Sequence, residues 1–68
     1  SAQGTQAIIT GTVMDNKGES VIGATIQVKN ESTGFFTGSI TNDKGEYTIK
    51  QLPLGSPYTV TVFLYRLW

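Results

Sequence analysis

The side chains best equipped for chemistry in this chain are five carboxylates, Asp15, Glu19, Glu31, Asp43 and Glu46. Four of them lie in two similar stretches, Asp15-Asn16-Lys17-Gly18-Glu19 and Asn42-Asp43-Lys44-Gly45-Glu46. Pairing Asp15 with Glu19, or Asp43 with Glu46, would offer hard oxygen ligands to calcium. The spacing does not fit an EF-hand loop, which needs alternating oxygen ligands closed by a distant Glu. Aspartates beside Asn and Gly more commonly accept hydrogen bonds from the amides of their own turn. Asp15 and Asp43 are therefore expected to form turns, the glutamates to be solvated, and no metal site is assigned.

The chain contains no His and no Cys. That removes the commonest general base near neutral pH, the commonest metal ligand, the thiolate nucleophile and the disulfide. Ser and Thr are abundant, but a hydroxyl nucleophile needs a base that the sequence does not supply. Gly11, Gly18, Gly23, Gly34, Gly38, Gly45 and Gly55 form neither a P-loop nor a dinucleotide fingerprint leading into a helix. No catalytic or cofactor-binding residue is assigned, and the chain is read as non-enzymatic. Asn30-Glu31-Ser32 is a formal glycosylation sequon, relevant only in a eukaryotic secretory route.

Five basic side chains balance five acidic ones. No net field draws the chain to nucleic acid or to an anionic membrane surface, so neither is expected as a partner. No apolar run approaches the roughly 20 residues of a membrane-spanning helix, and direct membrane insertion is not expected. At 68 residues the chain is a single domain. One this small buries only about 60% of the surface its unfolded form exposes. Backbone pairing, or another chain, must add to a small core. Residues 1–6 are small and polar and are read as a disordered segment, with the domain spanning 7–68. Ser1 to Gln6 suits either the remnant of signal-peptide cleavage or a plain chain end.

The elements that would position any site are β-strands. From Gln6 to Met14, β-branched residues alternate, with Ile9 and Val13 facing inward and Ile8 and Met14 partly exposed. Gly11 marks a bulge or a close backbone approach. After the Asp15–Gly18 turn, the small pair Gly23-Ala24 suits a sandwich corner, and a second strand runs over Thr25 to Asn30. The third, Phe35 to Thr41, is expected to put Phe36 and Ile40 in the core and leave Phe35 as an exposed aromatic. A fourth, about Glu46 to Lys50, turns Tyr47 and Ile49 inward. Leu52-Pro53-Leu54-Gly55-Ser56-Pro57 is a stiff connection with Leu52 under the core. The fifth, Tyr58 to about Leu64, sets Tyr58, Val60 and Val62 on one face. Short strands separated by regular turn signals indicate an all-β sandwich or barrel.

The ordered set Ile9-Thr10-Gly11-Thr12-Val13, Asp15 with Gly18, Val21 with Gly23-Ala24-Thr25-Ile26, Thr33-Gly34, Thr41-Asn42-Asp43-Lys44-Gly45-Glu46-Tyr47-Thr48-Ile49, and Leu52-Pro53 with Gly55 resembles one family. It is similar to the carboxypeptidase-regulatory-like domain, a transthyretin-like, Ig-like Greek-key β-sandwich. The form it most resembles precedes the plug of TonB-dependent outer-membrane receptors in Gram-negative bacteria. The resemblance implies a non-catalytic periplasmic accessory and interaction domain, associated with the outer membrane, whose partners are other receptor domains or periplasmic proteins. Two alternatives stay open: a stand-alone adhesion or carbohydrate-binding sandwich, and a folding-assistance domain beside a metallocarboxypeptidase.

The end of the chain departs from the family. Receptors of this type continue with something like Ser-Phe-Ile-Gly-Tyr-Gly and a further strand, whereas this sequence reads Phe63-Leu64-Tyr65-Arg66-Leu67-Trp68. One extra base before the codons of the family peptide yields the observed residues, so a frameshifted or truncated last strand is one reading and ordinary divergence the other. Either leaves the expected sandwich without its last strand, with an open edge. The partner-contact candidates are accordingly Phe35, Phe63, Leu64, Tyr65, Leu67 and Trp68, with self-association expected through the C-terminal strand edge.

Overall fold

A computed structural model describes residues 6–65. Five strands follow in order: β1 (Gln6–Thr12), β2 (Thr25–Asn30), β3 (Phe36–Ile40), β4 (Glu46–Pro53) and β5 (Tyr58–Phe63). Among the described residues there is no helix. The strands form two antiparallel sheets, β1–β4 and β3–β2–β5, packed as a small all-β sandwich. β2 has the bounds that its alternation predicts.

The core lies between the sheets. Ile26 and Val28 of β2 meet Ile49 and Leu52 of β4, and Ala7, Ile9, Val13, Tyr47 and Tyr58 pack around them half-buried. Each fully buried aliphatic side chain contributes about 1.5–3 kcal/mol relative to exposure, so these few residues carry most of the apolar stabilisation. The inward placements of Ile9, Val13, Tyr47, Ile49 and Leu52 agree with the sequence reading, and Ile8 and Met14 are exposed.

β3 is turned over relative to expectation. Phe36 is 51% and Ile40 66% exposed, whereas Thr37 and Ser39 face the interior. The register with β2 explains this: Val28 pairs with Thr37 and Ile26 with Ser39. Directly opposed residues in an antiparallel pair project to the same face. Once Ile26 and Val28 point inward, Thr37 and Ser39 must follow and Phe36 and Ile40 must point out. Phe36 lies instead beside Lys29, whose Nζ sits 5.8 Å from the ring centroid. Phe35 is exposed, as expected, just before the strand.

Two further expectations shift along the chain. The bulge assigned to Gly11 falls in β4: Ala7 pairs with Leu52 but Ile9 with Ile49, so two steps in β1 oppose three in β4. The extra residue brings Ile49 and Leu52 to the same buried side, and Gln51 takes φ +61° to make the bend. β4 therefore runs on to Pro53 rather than ending near Lys50. At Gly11 the close approach is by a side chain, because a Cβ there would lie 2.8 Å from Cε1 of Tyr47. The tight backbone crossing occurs at Gly45, where φ is +74° and a Cβ would sit 2.5 Å from the Val13 carbonyl oxygen. A Cβ at Gly23 would meet open space, so close sheet crossing does not account for that residue.

Thr41, assigned by alternation to the face away from the core, is buried and ties the β1–β2 connection to the end of β3. Its hydroxyl donates to the Val21 carbonyl at 2.7 Å and accepts from the Ala24 N–H at 2.9 Å. Ala24 and Thr41 also share a backbone hydrogen bond of 2.9 Å, extending the β2–β3 ladder by one pair.

The inverted β3 predicts a contrast in equilibrium urea unfolding. Ile26→Ala should cost about 2–5 kcal/mol, and Ile40→Ala should stay within about 0.5 kcal/mol. Equal costs would contradict the outward placement of Ile40.

Candidate functional site

The carboxylates serve local structure. Asp15 accepts N–H bonds from Lys17 at 2.8 Å and Glu19 at 3.0 Å, as its turn chemistry predicts. In the second turn the expectation of Asp43 is corrected: Asn42 Oδ1 takes the Lys44 and Glu46 N–H groups, both at 2.9 Å, while its amide nitrogen donates to Glu46 Oε1 at 3.2 Å. Asn42 occupies the first position of this turn, as Asp15 does in the other, so the side chain at the start of each turn makes the bonds. Glu31 accepts from the Thr59 hydroxyl at 2.7 Å and lies 3.6 Å from Lys29 Nζ. Among the described residues no three acidic side chains gather where a cation would fit.

A cleft of about 180 Å³ opens at one end of the sandwich, lined by Asn30, Phe35, Lys50, Gln51, Pro53 and Tyr58 among others. Two of its polar side chains, Asn30 and Tyr58, are engaged with one another. Asn30 Oδ1 accepts from the N–H groups of Ser32 and Thr33 at 2.9 and 3.2 Å, and its nitrogen donates to the Tyr58 hydroxyl at 3.4 Å. Tyr58 donates in turn to the Pro53 carbonyl at 2.5 Å, linking β5 to the end of β4. Asn30 is buried, which leaves the formal sequon without an accessible acceptor nitrogen. The sequence marks Asn30 only as a sequon acceptor and Tyr58 only as a strand residue, and gives Gln51 no role; a polar residue ending a strand and an aromatic beginning one give little sign that they will meet.

The partner-contact candidates do not form one patch. Phe35 lies at the Asn30 end of β2, where its carbonyl accepts the Asn30 N–H at 2.8 Å. Phe63 lies opposite Thr25 at the other end. Five residues of strand separate the two ends, about 17 Å. Phe63 and Tyr65 stack on the outer face, with ring centroids 6.4 Å apart and planes at 13°. Ile40 also pairs with Thr25, from the β3 side, so exposed apolar groups flank that residue on both edges. Leu64 is exposed beside them. Leu67 and Trp68 lie outside the described residues.

Val60 and Val62 are the residues whose exposure the alternation does not anticipate. Both face inward, opposite Val28 and Ile26, yet they remain 40% and 45% exposed. The second sheet has only two described strands, β1 and β4, and it covers β2 far better than β5. β5 is also the last strand of its sheet, with no partner on its free edge among the described residues. An unpaired edge beside uncovered apolar side chains has the geometry to which another strand can add.

A sequence profile of the carboxypeptidase regulatory-like domain matches residues 8–64. The chain belongs to that family. A comparison with curated proteins gives no match, and one with solved structures gives none either. The carboxypeptidase regulatory-like domain is often an accessory domain and is typically non-catalytic, and here its turn motifs are structural. The matched span includes every strand from Ile8 of β1 through β5 and reaches Leu64, so the exposed valines and the free edge fall inside the family region.

The turn geometry separates two adjacent side chains. Asn42→Ala should lower stability by about 1 kcal/mol or more through the lost amide bonds, and Asp43→Ala should change it by less than about 0.5 kcal/mol. Thermal unfolding with and without millimolar calcium checks both points. A calcium-dependent rise in Tm that Asp43→Ala removes would overturn the structural reading of this turn.

Proposed function

We propose that this carboxypeptidase regulatory-like domain is a non-catalytic accessory and interaction module of a TonB-dependent outer-membrane receptor, working on the periplasmic side in a Gram-negative bacterium. The family match across residues 8–64 carries the reading. The ordered turn motifs favour the receptor form of the family, above all Asn42 to Ile49 followed by Leu52-Pro53 and Gly55. A domain in that setting works by packing and strand pairing against neighbouring domains, and the uncovered side of β5 is suited to it.

The carbohydrate-binding alternative calls for aromatics gathered in one groove. Phe35 and the Phe63–Tyr65 stack sit at opposite ends of the sheet, which favours the accessory role. The metallocarboxypeptidase setting would use the same sandwich, and gene context separates it from the receptor setting.

The coding DNA around this chain, read in all frames, is expected to encode a plug and an outer-membrane barrel. Envelope fractionation with an antibody to the domain should recover it with the outer membrane and periplasm. A neighbouring metallocarboxypeptidase sequence, or recovery in the cytoplasm, would overturn the proposal.

A further inference from the structure

The hydrogen-bond pattern of β5 determines which of its residues face the free edge. The Glu31 N–H donates to the Pro57 carbonyl at 2.9 Å, one step beyond the Asn30–Tyr58 pair of the β2–β5 register. Hydrogen-bonded and non-hydrogen-bonded pairs alternate along an antiparallel ladder. Thr59, Thr61 and Phe63 therefore bond to β2, and Tyr58, Val60 and Val62 direct their N–H and C=O groups outward. The opposite edge of β2 agrees, since the Asn30 N–H bonds to Phe35 in β3. The same three residues carry the inward side chains of β5, and two of them are the undercovered valines. A strand added here would satisfy the backbone and cover the valines together.

The other free edges lack this coincidence. The inward residues of β3 are Thr37 and Ser39, and those of β1 include the half-buried Ala7 and Ile9. The edge of β4 carries Glu46 and Lys50. By contrast, no charged residue occurs from Gln51 to Tyr65, and the whole chain has zero formal net charge. Neither a local charge on the strand nor a net charge on the molecule opposes the approach of a second copy.

We propose that two copies of this chain pair β5 with β5, antiparallel, about a two-fold axis at Val60. Tyr58 then lies opposite the partner's Val62, and Val60 opposite the partner's Val60. All three outward-directed residues of each copy join hydrogen-bonded pairs, and the result is one six-stranded sheet in the order β3–β2–β5–β5–β2–β3. The contact is isologous, so it closes at the dimer and leaves no repeat of the same edge. On the inner face the valines of both copies form one apolar strip between the two β1–β4 layers. On the outer face Phe63 lies opposite the partner's Pro57. This inference concerns the edge that the receptor proposal also uses, but it rests on the register and exposure of β5 and stands whether or not the receptor setting holds.

Sedimentation equilibrium of the full chain at about 100 µM is expected to show a dimer. Val60→Pro, which removes only an outward-facing N–H, and Val60→Lys, which puts a charge on the axis, should each weaken it at least about tenfold. Gln27→Lys, carrying the same charge on the outer face of β2, should leave it unchanged, with circular dichroism checking the fold of every variant. The chain has no cysteine, so V60C gives a clean test of register. The two Cα atoms would stand about 5.5 Å apart, inside the range a disulfide spans. V62C would place its pair about 14 Å apart, four residues along the strand and one strand spacing across, and should not cross-link. A monomeric wild type at this concentration, a dimer indifferent to both Val60 variants, or V62C cross-linking as readily as V60C would each overturn the proposal.

Discussion

The structure depends on β2 being the strand that is hydrogen-bonded along both edges. Its inward residues, Ile26 and Val28, are the largest fully buried side chains described, and its register with β3 and β5 is continuous. Because paired residues share a face, the orientation of β2 dictates that of both neighbours. β5 follows with Val60 and Val62 inward, as its own pattern suggests. β3 follows against its own pattern, placing Thr37 and Ser39 inside and two large apolar residues in water. The buried aliphatics of β2 outweigh the preference of β3, since turning β2 over to bury Phe36 and Ile40 would expose Ile26 and Val28 and bring Lys29 inward.

The second sheet is fitted to this core by local devices. The extra residue at Lys50-Gln51 lets β4 present both Ile49 and Leu52 to β2, at the expense of a left-handed backbone at Gln51. That conformation costs a non-glycine residue about 1–2 kcal/mol, comparable with the gain from burying a side chain such as Leu52. Tyr47 lies over Gly11, and Gly45 lets its turn come against Val13, so the two turn-bearing segments close on each other. Thr41 closes the other side by holding Val21 and Ala24 through one hydroxyl. Among the described residues no buried side-chain polar atom is left without a partner.

The proposed interaction role rests on what this core does not reach. The β1–β4 sheet covers β2, and β5 extends beyond it with its valines partly in water. A domain of this size has little surplus stability to leave such surface unpaired. Strand pairing is the natural chemistry of the edge, because main-chain groups supply affinity and alternate side chains supply selectivity. That is a means by which a family of accessory sandwiches can work without catalytic groups of its own.

The sequence alone determined the all-β class, the bounds of β2, the presence of both Asx-type turns, the inward residues of β1 and β4, and which residues of β5 share a face. Each of these rests on local information: β-branched alternation, or a side chain bonding amides two to four residues away. The tertiary structure decided the face of β3, the position of the bulge, the burial of Thr41 and the exposure of Val60 and Val62. All four depend on pairing between distant segments. A period of two marks two faces but does not say which one meets the core, and an inward side chain is buried only where the opposing sheet extends far enough to cover it.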